Sequence, residues 1–163
     1  MHKLPSAKDL LALEAQAKIK GSGIDVENLI GSWKFMYVWK EGNSQKDFLS
    51  GLMLRSILAR LDINRNQINK DYMPFLITNS VQVGLLMLKF SGFGELKGKQ
   101  PLLPFFFEKL EVKFGPQTIY RRLIDPPIEQ KRPFFALVGM QPSGEWLAAR
   151  GRGGGLALWL KIR

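Results

Sequence analysis

From residue 31 onward, the chain consists of short segments in which apolar and polar side chains alternate, separated by glycine or proline. The clearest are GSWKFMYVWK near residue 31, FFFEKLEVKF near residue 105 and GLALWLKIR at the end. Alternation with a period of two is typical of β-strands whose two faces differ. Short strands at this spacing, with no helical segments between them, favour an antiparallel sandwich or barrel. We therefore predict a mainly β fold in one domain covering residues 1–163.

The first twenty residues have a different pattern. Ser6 with Asp9 three positions later is close to a capping box, and Leu10, Leu13 and Ala17 recur with helical spacing. We predict an N-terminal helix within residues 5–20 and barrel strands within residues 31–163. Residues 47–61 are ambiguous, because their apolar spacing suits a helix while part of the segment would serve as a strand. We predict a helix there.

The composition excludes most catalytic chemistry. There is no cysteine and one histidine, His2, so disulfides, thiolate metal sites and histidine-dependent catalysis have no candidates. Glu108 and Glu111, three residues apart in a predicted strand, face opposite sides and cannot act together without a bulge. We predict that the protein is not an enzyme and needs no metal or cofactor.

The charge is unevenly distributed. The formal net charge is +10, with 11 basic and 8 acidic residues in 1–80 and 13 basic and 6 acidic residues in 81–163. Such an excess favours an anionic partner, such as an acidic membrane surface, although it also serves solubility alone. Candidates for a membrane-facing basic surface are Arg121, Arg122, Lys131, Arg132 and Arg152.

We expect neither a nucleic-acid partner nor a membrane-spanning or secreted form. Aromatic segments that continue into leucine, valine and methionine indicate a buried face, so we expect no nucleic-acid partner. No apolar run reaches the roughly 18 residues of a membrane-spanning helix, and Asp9 and Glu14 interrupt any signal-like start. A cytoplasmic or peripheral membrane location is expected.

The segment NSVQVGLLMLKFSGFGELKGK, residues 79–99, is apolar on both faces for half its length. We interpret residues 81–90 as one strand with a cavity on one side and the N-terminal helix, through Leu10 and Leu13, on the other. Gly84 and Gly92 are expected to let the sheet curl. The sequence does not decide which set faces inward. The two sets are Val83, Leu85 and Met87, and Leu86, Leu88 and Phe90.

The longer stretch NSVQVGLLMLKFSGFGELKGKQPLLPFFFEKLEVKFG resembles the central block of the plastid-lipid-associated protein family, the PAP/fibrillins. LIGSWKFMYVW resembles that family's early strand, and EWLAARGRGGGLALWLKIR resembles its closing segment. The motifs follow one another in the family's order and span most of the chain. Tyr37-Val38-Trp39 and Trp146-Leu147-Ala148 depart from the family pattern, which suggests a divergent member of cyanobacterial or plastid type.

The resemblance implies an antiparallel lipocalin-like β-barrel with an N-terminal α-helix. It also implies binding of carotenoids or other apolar lipids at thylakoids or plastoglobules. Gly31-x-Trp33 resembles the lipocalin opening signature, in which the tryptophan plugs the closed end of the barrel beneath a cation. Arg150 is the first candidate for that cation and Arg163 the second, while a plain core role for Trp33 is the alternative.

The predicted function is non-enzymatic binding of a hydrophobic small molecule in the barrel. The alternative is a structural or interaction protein with a packed barrel and a basic working surface, and single-strand nucleic-acid binding ranks third. Candidates for the cavity wall are Trp33, Phe35, Tyr37, Val83, Leu85, Met87, Phe105, Phe107, Phe135 and Trp159.

Overall fold

A computed structural model describes residues 4–39, 59–68, 71, 73–99 and 101–162. Nearly all regular structure in these residues is antiparallel strand, preceded by one long helix and one short one. The elements are α1 (Ala7–Lys20), α2 (Val26–Leu29), β1 (Gly31–Trp39), β2 (Arg60–Arg65), β3 (Phe75–Val83), β4 (Leu86–Gly94), β5 (Leu102–Phe114), β6 (Gln117–Leu123), a 3₁₀ turn (Glu129–Lys131), β7 (Phe134–Met140), β8 (Trp146–Gly151) and β9 (Leu156–Lys161).

The strands close into a barrel. Their order is β4-β3-β2-β1-β9-β8-β7-β5-β6, and an additional β4–β5 pairing closes the first eight into a ring. β5 is long enough to pair with different strands at its two ends. Leu102–Pro104 pair with β7, whereas Lys109–Phe114 pair with β6, which lies outside the ring. The predicted antiparallel β-barrel with an N-terminal helix is confirmed.

Closure depends on a bend where β4 crosses β5. The pairing register shifts between Ser91 and Gly92, which leaves Glu108 as the extra residue of a bulge on β5. A Cβ placed on Gly92 would overlap the backbone carbonyl oxygen of Phe106, so only glycine allows the strands to approach this closely. Gly92 therefore has the curling role expected from the sequence.

Residues 81–90 form a hairpin, and the prediction of a single strand is wrong. β3 ends at Val83, the chain reverses at Gly84 and Leu85, and β4 begins at Leu86. Gly84 adopts a φ of +57°, a conformation that glycine reaches without steric cost, so a tight turn fits inside a continuous apolar run.

Helix α1 is capped as predicted and packs against the outside of the barrel. Ser6 and Asp9 form a reciprocal capping box, and the backbone N–H of Gly21 donates to the carbonyl oxygen of Ala17 at the other end. The helix does not cover β4 as predicted. Leu10 is fully buried in a cluster outside β1 and β7–β9, called here the helix-side cluster, and Gly139 leaves room for Leu13.

A second, larger cluster of buried side chains lies on the inner side of the ring and is called here the interior cluster. Trp33 and Phe35 of β1 belong to it, as do Ala157 and Trp159 of β9. The remaining buried members are Ile24, Leu29, Leu61, Ile63, Phe75, Ile77, Leu103, Leu137, Leu147 and Ala149.

β1 changes face halfway along its length. The β1–β9 register shifts between Phe35 and Tyr37, so Val38 packs against the interior cluster while Tyr37 and Trp39 pack on the helix side. Unbroken alternation along GSWKFMYVWK predicts that Trp33, Phe35, Tyr37 and Trp39 share one face, and this prediction is wrong beyond Phe35.

The ambiguous segment 47–61 lies mostly outside the described residues. Its last two residues, Arg60 and Leu61, belong to strand β2, not to a helix.

Candidate ligand-binding site

The base of the barrel interior is built around Trp33. This side chain is fully buried, and its indole Nε1–H donates to the carbonyl oxygen of Leu29, at 3.0 Å, at the end of α2. Lys161 Nζ lies 5.1 Å from the centre of the Trp33 ring, within the range of a cation–π contact. A Cβ on Gly31 would collide with the Lys161 side chain, and Gly31 has a φ of +144°. Gly31 therefore leaves the space that the Lys161 side chain occupies over the Trp33 ring.

Lys161, not Arg150, supplies the cation over Trp33. The predicted Trp33–Arg150 pair is incorrect, because Arg150 lies on the outer side of β8 and binds Glu14 of α1. The second candidate, Arg163, lies outside the described residues. The sequence contained evidence for Lys161, because its two-residue spacing from Trp159 places both side chains on the interior face of β9.

The Glu14–Arg150 pair fastens α1 to the barrel. Arg150 Nε and Nη2 each donate to one Glu14 carboxylate oxygen at 2.5 Å, and Arg150 Nη1 donates to the carbonyl oxygen of Gly154. The Glu14 side chain is only 6% exposed. Hydrogen bonding from Arg150 is the main cause of a lowered pKa for the Glu14 carboxyl, and it outweighs the opposing effect of burial.

Aromatic rings form a continuous series along one side of the interior. Successive ring centres lie 5.1 to 6.3 Å apart, the usual spacing of interacting aromatic pairs. In spatial order the rings are Phe35, Trp159, Phe135, Phe105, Phe107 and Phe90.

Exposure rises along this series. Phe35 and Trp159 are each 7% exposed, whereas Phe105, Phe107 and Phe135 are half-buried although they pack against the interior cluster. Solvent therefore reaches the interior wall from the β5 side.

The interior face continues onto two hairpins that extend past the ring. We call residues 81–88 and 112–120 the projecting hairpins. Cross-strand pairing places Val83, Leu86 and Phe114 in one row. Val81, Leu88, Val112 and Tyr120 form the next row. The exposed members are Val83 at 56%, Leu86 at 48%, Leu88 at 36%, Phe114 at 53% and Tyr120 at 50%, with Leu85 at 62% in the turn.

The structure separates the sequence-predicted wall residues into three groups. Trp33, Phe35, Phe105, Phe107, Phe135 and Trp159 lie together in the interior. Val83 shares the interior face but projects beyond the ring, while Leu85 lies in the turn. Tyr37 packs on the helix side and Met87 lines a groove on the outside. Phe90 was missing from the predicted set, although its period-two spacing to Leu86 and Leu88 indicates the shared face.

The predicted basic residues do not form one surface. On β6, Arg121 pairs with Glu111 on the outer face at 3.0 Å, whereas Arg122 lies opposite Leu110 on the other face. The remaining three lie near the 3₁₀ turn. Lys131 is exposed there, Arg132 stacks 4.8 Å from the centre of the Phe106 ring, and Arg152 donates to the Arg132 carbonyl oxygen.

Glu111 is a buried carboxylate on this outer face. Burial acts to raise its pKa, but hydrogen bonding and charge from Arg121 and Lys109 together outweigh it and leave the pKa lowered. The residue balances two of the cations of β5 and β6 and is ionised at neutral pH.

Two of the depressions formed by the described residues open on the outside of the barrel. The first, about 390 Å³, combines the charged side chains of Lys34, Arg60, Asp62 and Lys89 with apolar lining from Met87 and Ile162. The second, about 550 Å³, is mainly apolar, with Leu76, Phe93 and Phe106 in its lining.

Within the described ranges, no group of three or more histidine, cysteine or acidic side chains is placed to hold a metal ion. No helix among these residues is long and apolar enough to cross a membrane. A scan of the sequence against protein-family models gives no match, and a search of curated proteins gives none either. The PAP/fibrillin resemblance therefore stays a prediction.

Proposed function

We propose that the protein binds an apolar small molecule, such as a lipid or an isoprenoid, in the barrel interior. The observation that carries this proposal is the solvent-reachable aromatic wall formed by Phe105, Phe107 and Phe135. Burying about 300 Å² of apolar ligand contributes roughly 7 kcal/mol before association costs. Those costs leave affinity on the order of micromolar.

Titration with an environment-sensitive fatty-acid probe tests this function. We expect Phe105→Gln to weaken probe binding about tenfold, because the amide places unpaired polar groups against the wall. Phe93→Gln is the matched control, since Phe93 lies on the outer side of the same sheet and lines the 550 Å³ depression. It should change the affinity less than twofold, and thermal unfolding should show both variants folded.

Two results would contradict the proposal. If Phe93→Gln loses binding and Phe105→Gln does not, the probe occupies the outer depression. If the folded wild-type protein takes up no probe, the alternative of a packed barrel that works through its surface is favoured.

A specific observation favours membrane association as a second activity. The projecting hairpins expose leucine, valine and phenylalanine at their tips, and solvated apolar patches of this kind mark interaction surfaces. Residues 81–90 and 109–123 also carry five basic side chains against one acidic, Glu111, which is already paired. Apolar tips flanked by cations match the boundary between acyl chains and anionic headgroups. Together with the family resemblance, this supports a peripheral location on a thylakoid or plastoglobule-type membrane.

Flotation with phosphatidylglycerol-containing vesicles tests the tips. We expect the double variant Leu85→Asp/Phe114→Asp to lose most vesicle binding, because two carboxylates replace the inserted apolar groups. The control Ile68→Asp/Leu123→Asp makes the same charge change at side chains that are 97% and 78% exposed but lie away from the tips. Equal losses in the two variants would show that net charge alone, and not tip insertion, drives binding.

A further inference from the structure

The outer face of β1–β4 carries a row of cross-strand neighbours with an excess of positive charge. Lys34 pairs in register with Arg60, Arg60 with Ser80, and Ser80 with Lys89. These four residues line the 390 Å³ depression, which we call the cationic groove. It lies on the opposite side of the sheet from the barrel interior and is independent of the proposed interior ligand.

Arg60 is held in a fixed orientation within the groove. Its Nε donates to Asp62 Oδ1 and Oδ2 at 2.8 and 3.0 Å, and its Nη2 donates to Ser32 Oγ at 2.8 Å. Ser32 in turn donates to Asp62 Oδ1 at 2.5 Å. Arg60 thereby neutralises Asp62, so the positive charges of Lys34 and Lys89 remain as the net charge of the groove.

Three polar groups in the groove have no partner within the described part of the chain. Lys34 and Lys89 have no carboxylate within ion-pair distance there. Ser80 is only 8% exposed, and its hydroxyl makes no side-chain hydrogen bond there although it lines the groove. Ser80 Oγ opens to the groove, so beside the two lysines it offers a hydroxyl donor to an anion bound there.

We propose that the cationic groove binds the phosphate group of a small anionic molecule. Strands β1 and β4 are separated by three strand spacings, about 14 Å. The four-carbon stems of Lys34 and Lys89 therefore reach inward from both sides toward a group above Arg60 and Ser80. Phosphate oxygens accept hydrogen bonds from lysine, arginine and hydroxyl donors together, and each charged bond is stronger than a neutral one. Met87 and Ile162 add apolar walls that suit an organic carrier of the phosphate.

Calorimetric titration of the full chain tests the groove, with inorganic phosphate, glycerol 3-phosphate and vesicles containing phosphatidic acid as separate probes. At about 0.15 M chloride, where exposed charges are screened beyond ~8 Å, we expect saturable binding of at least one probe. Lys34→Gln and Lys89→Gln should each weaken it about tenfold or more. Lys8→Gln, the same charge change on the exposed side of α1, should alter it less than twofold.

Ser80→Ala separates a built site from a general positive field. The variant leaves every charge in place and removes a hydroxyl that no described residue uses, so the fold should be unaffected while phosphate affinity falls several-fold. Binding of the two soluble probes identifies a free phosphate ligand. Binding of the vesicles alone identifies a lipid headgroup in the groove only if Lys34→Gln, Lys89→Gln and Ser80→Ala weaken it, because insertion of the projecting hairpins would be unaffected by these changes. No binding of any probe, or an equal loss in Lys8→Gln and Lys89→Gln, overturns the proposal.

Discussion

Arg150→Met is expected to lower the free energy of unfolding by about 3 kcal/mol, because it strands a buried carboxylate. Glu14 is 6% exposed. Besides Arg150, the described residues place Lys18 near it, with Lys18 Nζ at 3.8 Å and a lysine side chain that is 61% exposed. Removing the guanidinium also frees the Gly154 carbonyl oxygen, which Arg150 Nη1 binds at 2.6 Å. Urea unfolding followed by circular dichroism measures the change.

Two further variants show whether the loss comes from the stranded charge. Arg65→Met breaks the Arg65–Glu27 pair, whose side chains are 52% and 68% exposed, and should cost less than about 1 kcal/mol. The double variant Glu14→Leu/Arg150→Met leaves no charge behind and should recover much of the loss. If Arg150→Met lowers the free energy of unfolding no more than Arg65→Met does, the Glu14–Arg150 pair does not hold α1 to the barrel.

The same pair predicts an acid-sensitive component of stability. The pKa of Glu14 is lowered in the folded protein, so its contribution is complete at neutral pH and is lost as the pH falls through the folded value. Stability of the wild type should therefore fall more steeply on acidification below about pH 4.5 than that of Glu14→Gln. Parallel curves for the two proteins would contradict this assignment.

Trp33→Ala is expected to destabilise the barrel by about 3–5 kcal/mol, the usual cost of removing a fully buried large aromatic side chain. The ring is 0% exposed and packs in the interior cluster beside α2. The loss would also leave the Leu29 carbonyl oxygen and the Lys161 ammonium without their contacts to the indole.

Milder substitutions separate these contributions. Trp33→Phe keeps an aromatic face under Lys161 but removes the hydrogen bond to Leu29, and should cost about 1–3 kcal/mol. Lys161→Met removes only the cation and should cost roughly 0.5–1 kcal/mol. Thermal unfolding of the three variants ranks their losses of stability. If Lys161→Met destabilises the protein as much as Trp33→Ala does, packing of the Trp33 ring is not the main source of stability at the base.

The fold class was predictable because alternation, glycine and proline report strand boundaries directly. The capping box at Ser6 and the alternation of Leu156–Lys161 were sufficient to place α1 and β9. What failed depended on single-residue irregularities. One bulge beyond Phe35 places Tyr37 and Trp39 on the helix side. A pattern with a period of two does not reveal such an inserted residue.

The candidate site was predictable only in its aromatic residues. Phe105, Phe107, Phe135 and Trp159 lie together because their strands alternate regularly where they meet. The turn at Gly84 and Leu85 was hidden, because the residues around it are apolar in both strands. The Glu14–Arg150 pair joins positions 136 residues apart, so local patterns carry no information about it.

β5 belongs to two parts of the molecule. Its first half pairs with β7 and closes the ring, and its second half pairs with β6 to form the outer hairpin. Between the two halves lies the bulge at Glu108, whose carbonyl oxygen accepts a hydrogen bond from the backbone N–H of Ile124. No loop interrupts the strand between the wall that bears Phe105 and Phe107 and the turn that begins after Phe114. Under the proposed function, ligand binding in the interior should alter amide exchange at the Gly115 turn, and membrane contact at that turn should alter amide exchange near Phe105 and Phe107.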